Sequence, residues 1–296
     1  MDESLINLFP ERVRIEVNKY IKKNIQEIRI GIGKPCILIE NQEEIILKNI
    51  VSKLDMKYII QKISNYSIYA YEEEIRQGFI TIKGGHRVGI AGQCVMENDR
   101  VKTIKNIVSL NIRICHEIIG CSDRIMRYIN TKDRVNNTII VSPPGCGKTT
   151  LLRDIANKLS CFGKRVSIID ERSEIAACDM GIPRLQVGLR TDVLDNCKKS
   201  IGMIMAIRSL SPEIIICDEI GSEEDIRALF FAYNSGITII TTVHGYDIND
   251  VISRNSFSKL IENKIIKKII VLSKRCGIGT IERVYDLERG ESICIG

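Results

Sequence analysis

The sequence predicts an α/β fold in two parts, a parallel-sheet core preceded by a smaller α+β region. Three observations carry this. The apolar run Thr138-Ile139-Ile140-Val141 passes through a glycine-bearing turn into a helical stretch from Leu151 to Leu159, a strand-turn-helix unit. Further β-branched runs follow at 165–169, 213–217 and 237–242, each ending in polar residues, as strands do when they alternate with helices in a parallel sheet. Ahead of these, Asn130-Thr131-Lys132-Asp133-Arg134-Val135-Asn136-Asn137 is polar and without periodicity. The expected domains are therefore 1–132, α+β, and 133–296, α/β.

In the first region Glu27 to Ile30 reads as a short strand among helical patterns. A hairpin is expected from Phe79 through Gly84-Gly85 to Val88 and beyond, since paired glycines supply the positive φ of a tight turn. Gly78, Gly89 and Gly92 crowd the same stretch, and Arg76, Arg87 and Arg113 lie near or within its strand-like segments. Neither internal repeats nor low-complexity tracts occur.

The core opens on Ser142-Pro143-Pro144-Gly145-Cys146-Gly147-Lys148-Thr149-Thr150. Glycines 145 and 147 let successive backbone N–H groups face one concavity, where they and the helix N-terminus can hold phosphates. Lys148 is placed to reach β- and γ-phosphates, and the Thr149 hydroxyl to ligate Mg²⁺. Thr150 is expected to cap or pack against the helix start. The pattern G-x-x-x-x-G-K-[ST] departs at its first position, where Ser142 replaces glycine.

Such a site needs a strand ending in an acid that reaches the metal, and Glu213-Ile214-Ile215-Ile216-Cys217-Asp218-Glu219 supplies it. Asp218 is the candidate on the Mg²⁺ side, and Glu219 can polarise the attacking water. Asp170-Glu171-Arg172-Ser173-Glu174 follows the strand at 165–169, so a parallel sheet would bring Glu171 to the same edge as a rival base. The run from Ile237 to Thr242 ends at Val243-His244-Gly245, which makes His244 a candidate phosphate sensor at that edge.

Composition suits a soluble enzyme: 296 residues, 44% hydrophobic and 27% charged, with mean hydropathy near zero, suffice for one large or two ordinary domains. No apolar run approaches the ~20 residues that cross a bilayer, and Met1-Asp2-Glu3 lacks the basic start of a signal peptide. The expected location is cytoplasmic. The eleven cysteines are odd in number and form no C-x-x-C; they read as reduced, small apolar residues. Cys115-His116 is too isolated for zinc. A net charge of +6 with interleaved signs does not call for nucleic acid. Lysine pairs at Lys22-Lys23, Lys198-Lys199 and Lys267-Lys268 leave peripheral contact with anionic lipid or an acidic partner open.

Taken together, Ala70-Tyr71-Glu72-Glu73-Glu74-Ile75-Arg76-Gln77-Gly78, Gly84-Gly85-His86-Arg87-Val88-Gly89, Asn111-Ile112-Arg113-Ile114, the phosphate loop, Asp170-Glu171-Arg172-Ser173-Glu174-Ile175, Arg190-Thr191-Asp192-Val193-Leu194-Asp195 and Ser211-Pro212-Glu213 running into Asp218-Glu219-Ile220-Gly221 resemble the stage III sporulation protein AA family, related to type II and type IV secretion ATPases. The resemblance spans nearly the whole chain. It implies a RecA-like P-loop NTPase core behind the N-terminal domain, ATP and Mg²⁺ as cofactors, and a homo-oligomer, a hexameric ring, with nucleotide near subunit boundaries. It also implies a membrane-embedded sporulation or secretion-like assembly as partner, contacted from the mother-cell side of the forespore membrane. Asp170-Glu171 matches the family's acidic box and Thr242-Val243-His244 its histidine box. Arg76, Arg87, Arg113, Arg190 and Arg208 are the arginines that the resemblance offers to the γ-phosphate. Secretion ATPases carry Gly-Glu where this chain has Asp218-Glu219. The division of work between Glu171 and Glu219 stays open, as do two rivals to the ATPase motor: a nucleotide-gated scaffold with little hydrolysis, and a nucleic-acid motor.

Overall fold

The computed structural model describes residues 3–20, 24–40, 43–64, 67, 71–132, 134–178 and 180–295. Met1, Asp2, Lys22, Lys23, Ala70 and Asp133 lie outside the described residues. The chain divides into two compact units, Met1–His116 and Glu117–Gly296.

The first unit runs α1 (Glu3–Ile6), α2 (Glu11–Asn18), β1 (Glu27–Gly31), β2 (Pro35–Glu40), β3 (Glu43–Ile50), α3 (Lys53–Ile63), α4 (Glu72–Arg76), β4 (Phe79–Ile82), β5 (His86–Glu97) and β6 (Arg100–Arg113). Its strands form an antiparallel sheet in the order β3-β2-β1-β6-β5-β4. Alternation puts Ile28 and Ile30 of β1, Leu38 of β2, and Leu110 and Ile112 of β6 into one core with Phe9, Val13 and Val17 near and in α2 and Met56 and Ile59 in α3. The expected hairpin joins β4 to β5. A second, longer one joins β5 to β6 through Asn98 and Asp99, both at positive φ, the geometry that lets a two-residue turn follow the strand twist. α3 begins in a capping box: Ser52 Oγ accepts from the Asp55 amide at 3.2 Å while Asp55 accepts from the Ser52 amide at 2.7 Å. The Arg12 guanidinium beside Asp55 holds that carboxyl down at about 2.

The second unit runs α5 (Asp123–Ile129), β7 (Thr138–Ser142), α6 (Lys148–Cys161), β8 (Val166–Asp170), β9 (Thr191–Asp195), α7 (Lys199–Ser209), β10 (Ile214–Cys217), α8 (Glu223–Asn234), β11 (Thr238–His244), α9 (Ile248–Ile252), α10 (Asn255–Glu262), β12 (Lys268–Ser273), β13 (Thr280–Asp286) and β14 (Glu291–Cys294). The sheet order is β14-β13-β12-β7-β11-β10-β8-β9. Strands β12 through β9 in that order are parallel, and β13 and β14 extend the edge antiparallel. Every residue of β7, β8 and β10 is buried, as parallel strands covered on both faces require. Alternate side chains serve opposite cores: Ile140, Ile168, Ile214 and Ile216 meet α5 and α6, and Ile139, Val141, Ile169 and Ile215 meet α7, α8 and α10.

The units divide ahead of α5, earlier than the polar stretch 130–137 suggests. Ile125, Met126 and Ile129 of α5 are buried in the second unit's core. The polar stretch is an internal connection whose amides are used: Asn137 donates to the Ile265 carbonyl at 3.0 Å and accepts from the Ile239 amide at 2.7 Å. All eleven cysteines are free, and burial pushes the thiols of Cys36 and Cys217 up to about 12. Among the described residues no helix is long and apolar enough to cross a membrane.

Candidate functional site

Parallel strands deliver their carboxyl ends to one edge of a sheet, and the candidate residues of the core collect there. The loop after β7 turns through Gly145 at φ +70° and Gly147 at φ +84°, values that a Cβ disfavours. Gly147 is the N-cap of α6, and no side chain caps it, so the first amides of the helix are left for a ligand. Thr150 thus stands inside α6 and does not cap it. Ser142 needs none of the freedom of the glycine it replaces: its φ is not positive, its side chain is buried, and its hydroxyl donates to the Pro143 carbonyl at 2.9 Å. Pro144 and Gly145 are exposed, whereas Cys146 is buried and anchors the turn in the core.

Lys148, only 6% exposed, directs its ammonium at the Ser142 and Pro143 carbonyls, each at 3.4 Å, and at His244 Nδ1 at 3.3 Å. The other ring nitrogen, Nε2, lies 2.8 Å from Glu219 Oε1. A ring protonated on Nε2 satisfies both contacts. The second Glu219 oxygen pairs with Arg172 Nη1 at 3.4 Å. One chain of polar contacts therefore runs from the loop lysine to the acid after β10. The pairing of His244 with Ser142 across β11 and β7 places the histidine beside the start of the loop.

Thr149 Oγ1 donates to Asp218 Oδ2 at 2.5 Å. Its lone pairs stay free for a cation, and a hydroxyl beside a carboxylate oxygen suits a hard ion such as Mg²⁺. Among the described residues no three His, Cys, Asp or Glu side chains gather to hold a metal. Mg²⁺ sites of this kind take one or two protein oxygens and complete themselves with substrate phosphates, so the donors present fit that ion.

Glu171 enters the same cleft, lined also by Asp170, Arg172, Glu174, Lys199, Asp218 and Glu219. Its Oε2 is ion-paired with Lys199 at the start of α7. Asp170 is 2% exposed and accepts from the amides of Glu174, Ile175 and Ala176 at 2.9, 2.9 and 2.8 Å. Burial nevertheless pushes its carboxyl up to about 6. Asp170 shapes the acidic loop and Glu171 faces the cleft.

Of the arginines offered to the γ-phosphate, Arg190 donates to the Ser160 carbonyl at 3.1 Å, near the end of α6 opposite the loop after β7, and Arg208 is on the last turn of α7. Arg76, Arg87 and Arg113 belong to the first unit, where Arg87 stacks on Phe79 at 3.6 Å from the ring centroid and Arg76 donates to the Lys102 carbonyl at 3.2 Å.

Five participants were given no role of their own in the site from the sequence, although Thr242 falls in the histidine box, Arg172 in the acidic run and Lys199 in a lysine pair. Arg172 and Lys199 pair with the two candidate bases, and Thr242 contacts Asp218 and the Glu219 amide. Lys274, beyond β12, brings its ammonium within 3.0 Å of where a Cβ on Gly145 would stand, and Ile278 lies 3.1 Å from the equivalent point on Gly147. For Thr242 a signal exists, because it shares a strand face with His244 two residues on. For Lys274 there is none, since its approach depends on how β12 joins the sheet.

The family model described as sporulation stage III, protein AA, matches residues 2–293. The stage III sporulation protein AA of Bacillus subtilis (strain 168) is 43% identical over 268 residues, covering 88% of this chain and 87% of that protein. Among solved structures, the ATPase DotB of Legionella pneumophila aligns with 89% of this chain and 76% of its own at a TM-score of 0.62 and 17% identity. The pilus retraction motor PilT, solved with bound ADP, aligns with 88% of this chain and 77% of its own at a TM-score of 0.59 and 14% identity. These likenesses establish the fold: a mixed α/β architecture of two sheets shared with DotB and PilT.

Proposed function

The chain belongs to the sporulation stage III protein AA family, and from that premise we propose that it is a Mg²⁺-dependent ATP-binding and hydrolysing motor of the secretion-ATPase kind. The observation that carries the reading is the 2.5 Å bond from Thr149 to Asp218, which joins a left-handed glycine loop and a helix N-terminus to the acid of a neighbouring strand. Backbone amides of the loop and the start of α6 hold the phosphates, and Lys148 turns from His244 and the two carbonyls to neutralise them. Thr149 and Asp218 would hold Mg²⁺, which would supply charge stabilisation to the transferring phosphoryl group.

Glu219 is the better placed of the two candidate bases. It follows Asp218 directly, and its carboxylate touches His244, which touches Lys148, so it belongs to the network that meets the phosphates. Glu171 is closely ion-paired with Lys199, whereas the cationic partner of Glu219, Arg172, is exposed and stands at 3.4 Å. His244 loses its lysine when phosphate claims Lys148, and it thereby reports occupancy of the loop to Glu219. Family membership supports a homo-oligomeric ring, hexameric, acting on a membrane-embedded sporulation assembly. Met180 and Leu189, 96% and 90% exposed, are apolar side chains of the kind that such contacts cover.

The test is phosphate release over a range of protein concentrations by wild type, Lys148→Ala, Glu219→Gln and Glu171→Gln. Loss of Glu219 should lower turnover by at least ~100-fold, with Glu171→Gln milder. Wild-type turnover in Lys148→Ala would refute the site. Tight ATP binding by a wild type that does not turn over would favour the scaffold reading.

A further inference from the structure

Strand β11 lies between β7, which carries the phosphate loop, and β10, which ends at the two acids. In the parallel register Cys217 faces Thr241, so the residue after Cys217, Asp218, emerges beside Thr242. Thr242 is fully buried. Its hydroxyl donates to Asp218 Oδ1 and accepts from the Glu219 amide at 2.8 Å, and its carbonyl accepts from the Ile220 amide at 3.0 Å. The backbone that it grips is unusual, for Glu219 stands at φ +48°, a left-handed conformation that a non-glycine residue holds only when its surroundings fix it.

We propose that Thr242 is a positioning residue that sets both acids of the site through one hydroxyl. The inference rests on the ATPase reading above and extends it to a residue to which that reading assigns neither phosphate nor metal. Asp218 is held at both oxygens by hydroxyls, Oδ2 by Thr149 and Oδ1 by Thr242. When the Thr149 oxygen serves a cation, Thr242 still fixes the rotation of the carboxylate, and metal affinity depends on that fixed orientation. Glu219 is held by the same strand at two points, its amide by Thr242 and its carboxylate by His244 at 2.8 Å. Removing the hydroxyl leaves a part-buried amide and a carboxylate oxygen without that partner and lets both acids turn.

The test compares Thr242→Val, which keeps the volume, with Thr242→Ser, which keeps the hydroxyl; Thr242→Ala replaces the valine variant if that does not fold. Three quantities are read: affinity for a fluorescent ATP analogue in EDTA, Mn²⁺ affinity of the complex with a non-hydrolysable ATP analogue by EPR, and the Mg²⁺ dependence of phosphate release. The valine variant should keep its metal-free nucleotide affinity within about twofold, weaken Mn²⁺ by about tenfold and lower kcat by about 10–100-fold, with serine restoring most of each. Equal Mn²⁺ affinity and kcat in valine and wild type, where wild type hydrolyses ATP, would overturn the positioning role alone. Serine as impaired as valine would reduce Thr242 to packing and overturn it too. A wild type that binds no nucleotide would sink the ATPase reading, and this inference with it.

Discussion

Asp154, on α6, offers a quantitative check on how the second unit holds the segment ahead of α5. Its side chain is 2% exposed, and it accepts from the Gly120 amide at 2.9 Å, the Ser122 amide at 2.8 Å and the Ser122 hydroxyl at 2.6 Å, with Lys158 at 3.4 Å. Asp154→Ala leaves three donors without an acceptor in a site that water enters poorly. Each such loss costs about 1–3 kcal/mol, and partial hydration brings the sum to about 3 kcal/mol. In a unit of this size that corresponds to a fall in Tm of roughly 6–12 °C. Burial pushes the Asp154 carboxyl up, but the Ser122 hydroxyl, the two amides and Lys158 together hold it below its ordinary value. A carboxyl depressed in the folded state stabilises above its unfolded pKa and loses that contribution as pH falls through the folded one. The gap between wild type and Asp154→Ala should therefore be full at pH 7 and shrink below about pH 4. Differential scanning calorimetry at pH 7 and pH 3 reads both effects. A shift under about 2 °C at pH 7, or a gap that does not change with pH, would refute the reasoning.

Two further outcomes follow from the same edge of the sheet. Gly147→Ala puts a Cβ at φ +84° and 3.1 Å from Ile278, a backbone cost of about 1–2 kcal/mol, so ATP affinity measured by calorimetric titration should fall about tenfold or more; unchanged affinity would mean that the loop reshapes freely. Asp170 titrates at about 6 in the folded protein against 3.8 unfolded, so the native state binds its proton more tightly and stability from this group falls as pH rises from about 4 to 6. Relative to Asp170→Asn, which cannot ionise, wild type should lose about 3 kcal/mol of unfolding free energy over that window, and parallel denaturation curves at pH 4 and 7 would contradict the assignment.

Much of the core could be read before any coordinates. Short runs rich in isoleucine and valine with polar ends marked β7, β8 and β10, because strands buried on both faces are predominantly apolar. The glycines at 145 and 147 marked a turn because positive φ has few other hosts. The domain division was less accessible, since the polarity of 130–137 says nothing about which side α5 packs on; Ile125 and Ile129 decide that by their burial in the second unit's core.

The sequence by itself determined the glycine-bearing turn after β7, the acids after β10 and β8, and the histidine ending β11, because each depends on residue type and local spacing. Tertiary structure alone decided their relations: that Thr149 meets Asp218, that His244 bridges Lys148 and Glu219, that Lys199 claims Glu171, and that Thr242 grips both acids. These pairs join residues far apart in the chain, so strand order and register, rather than any local pattern, bring them within reach of each other.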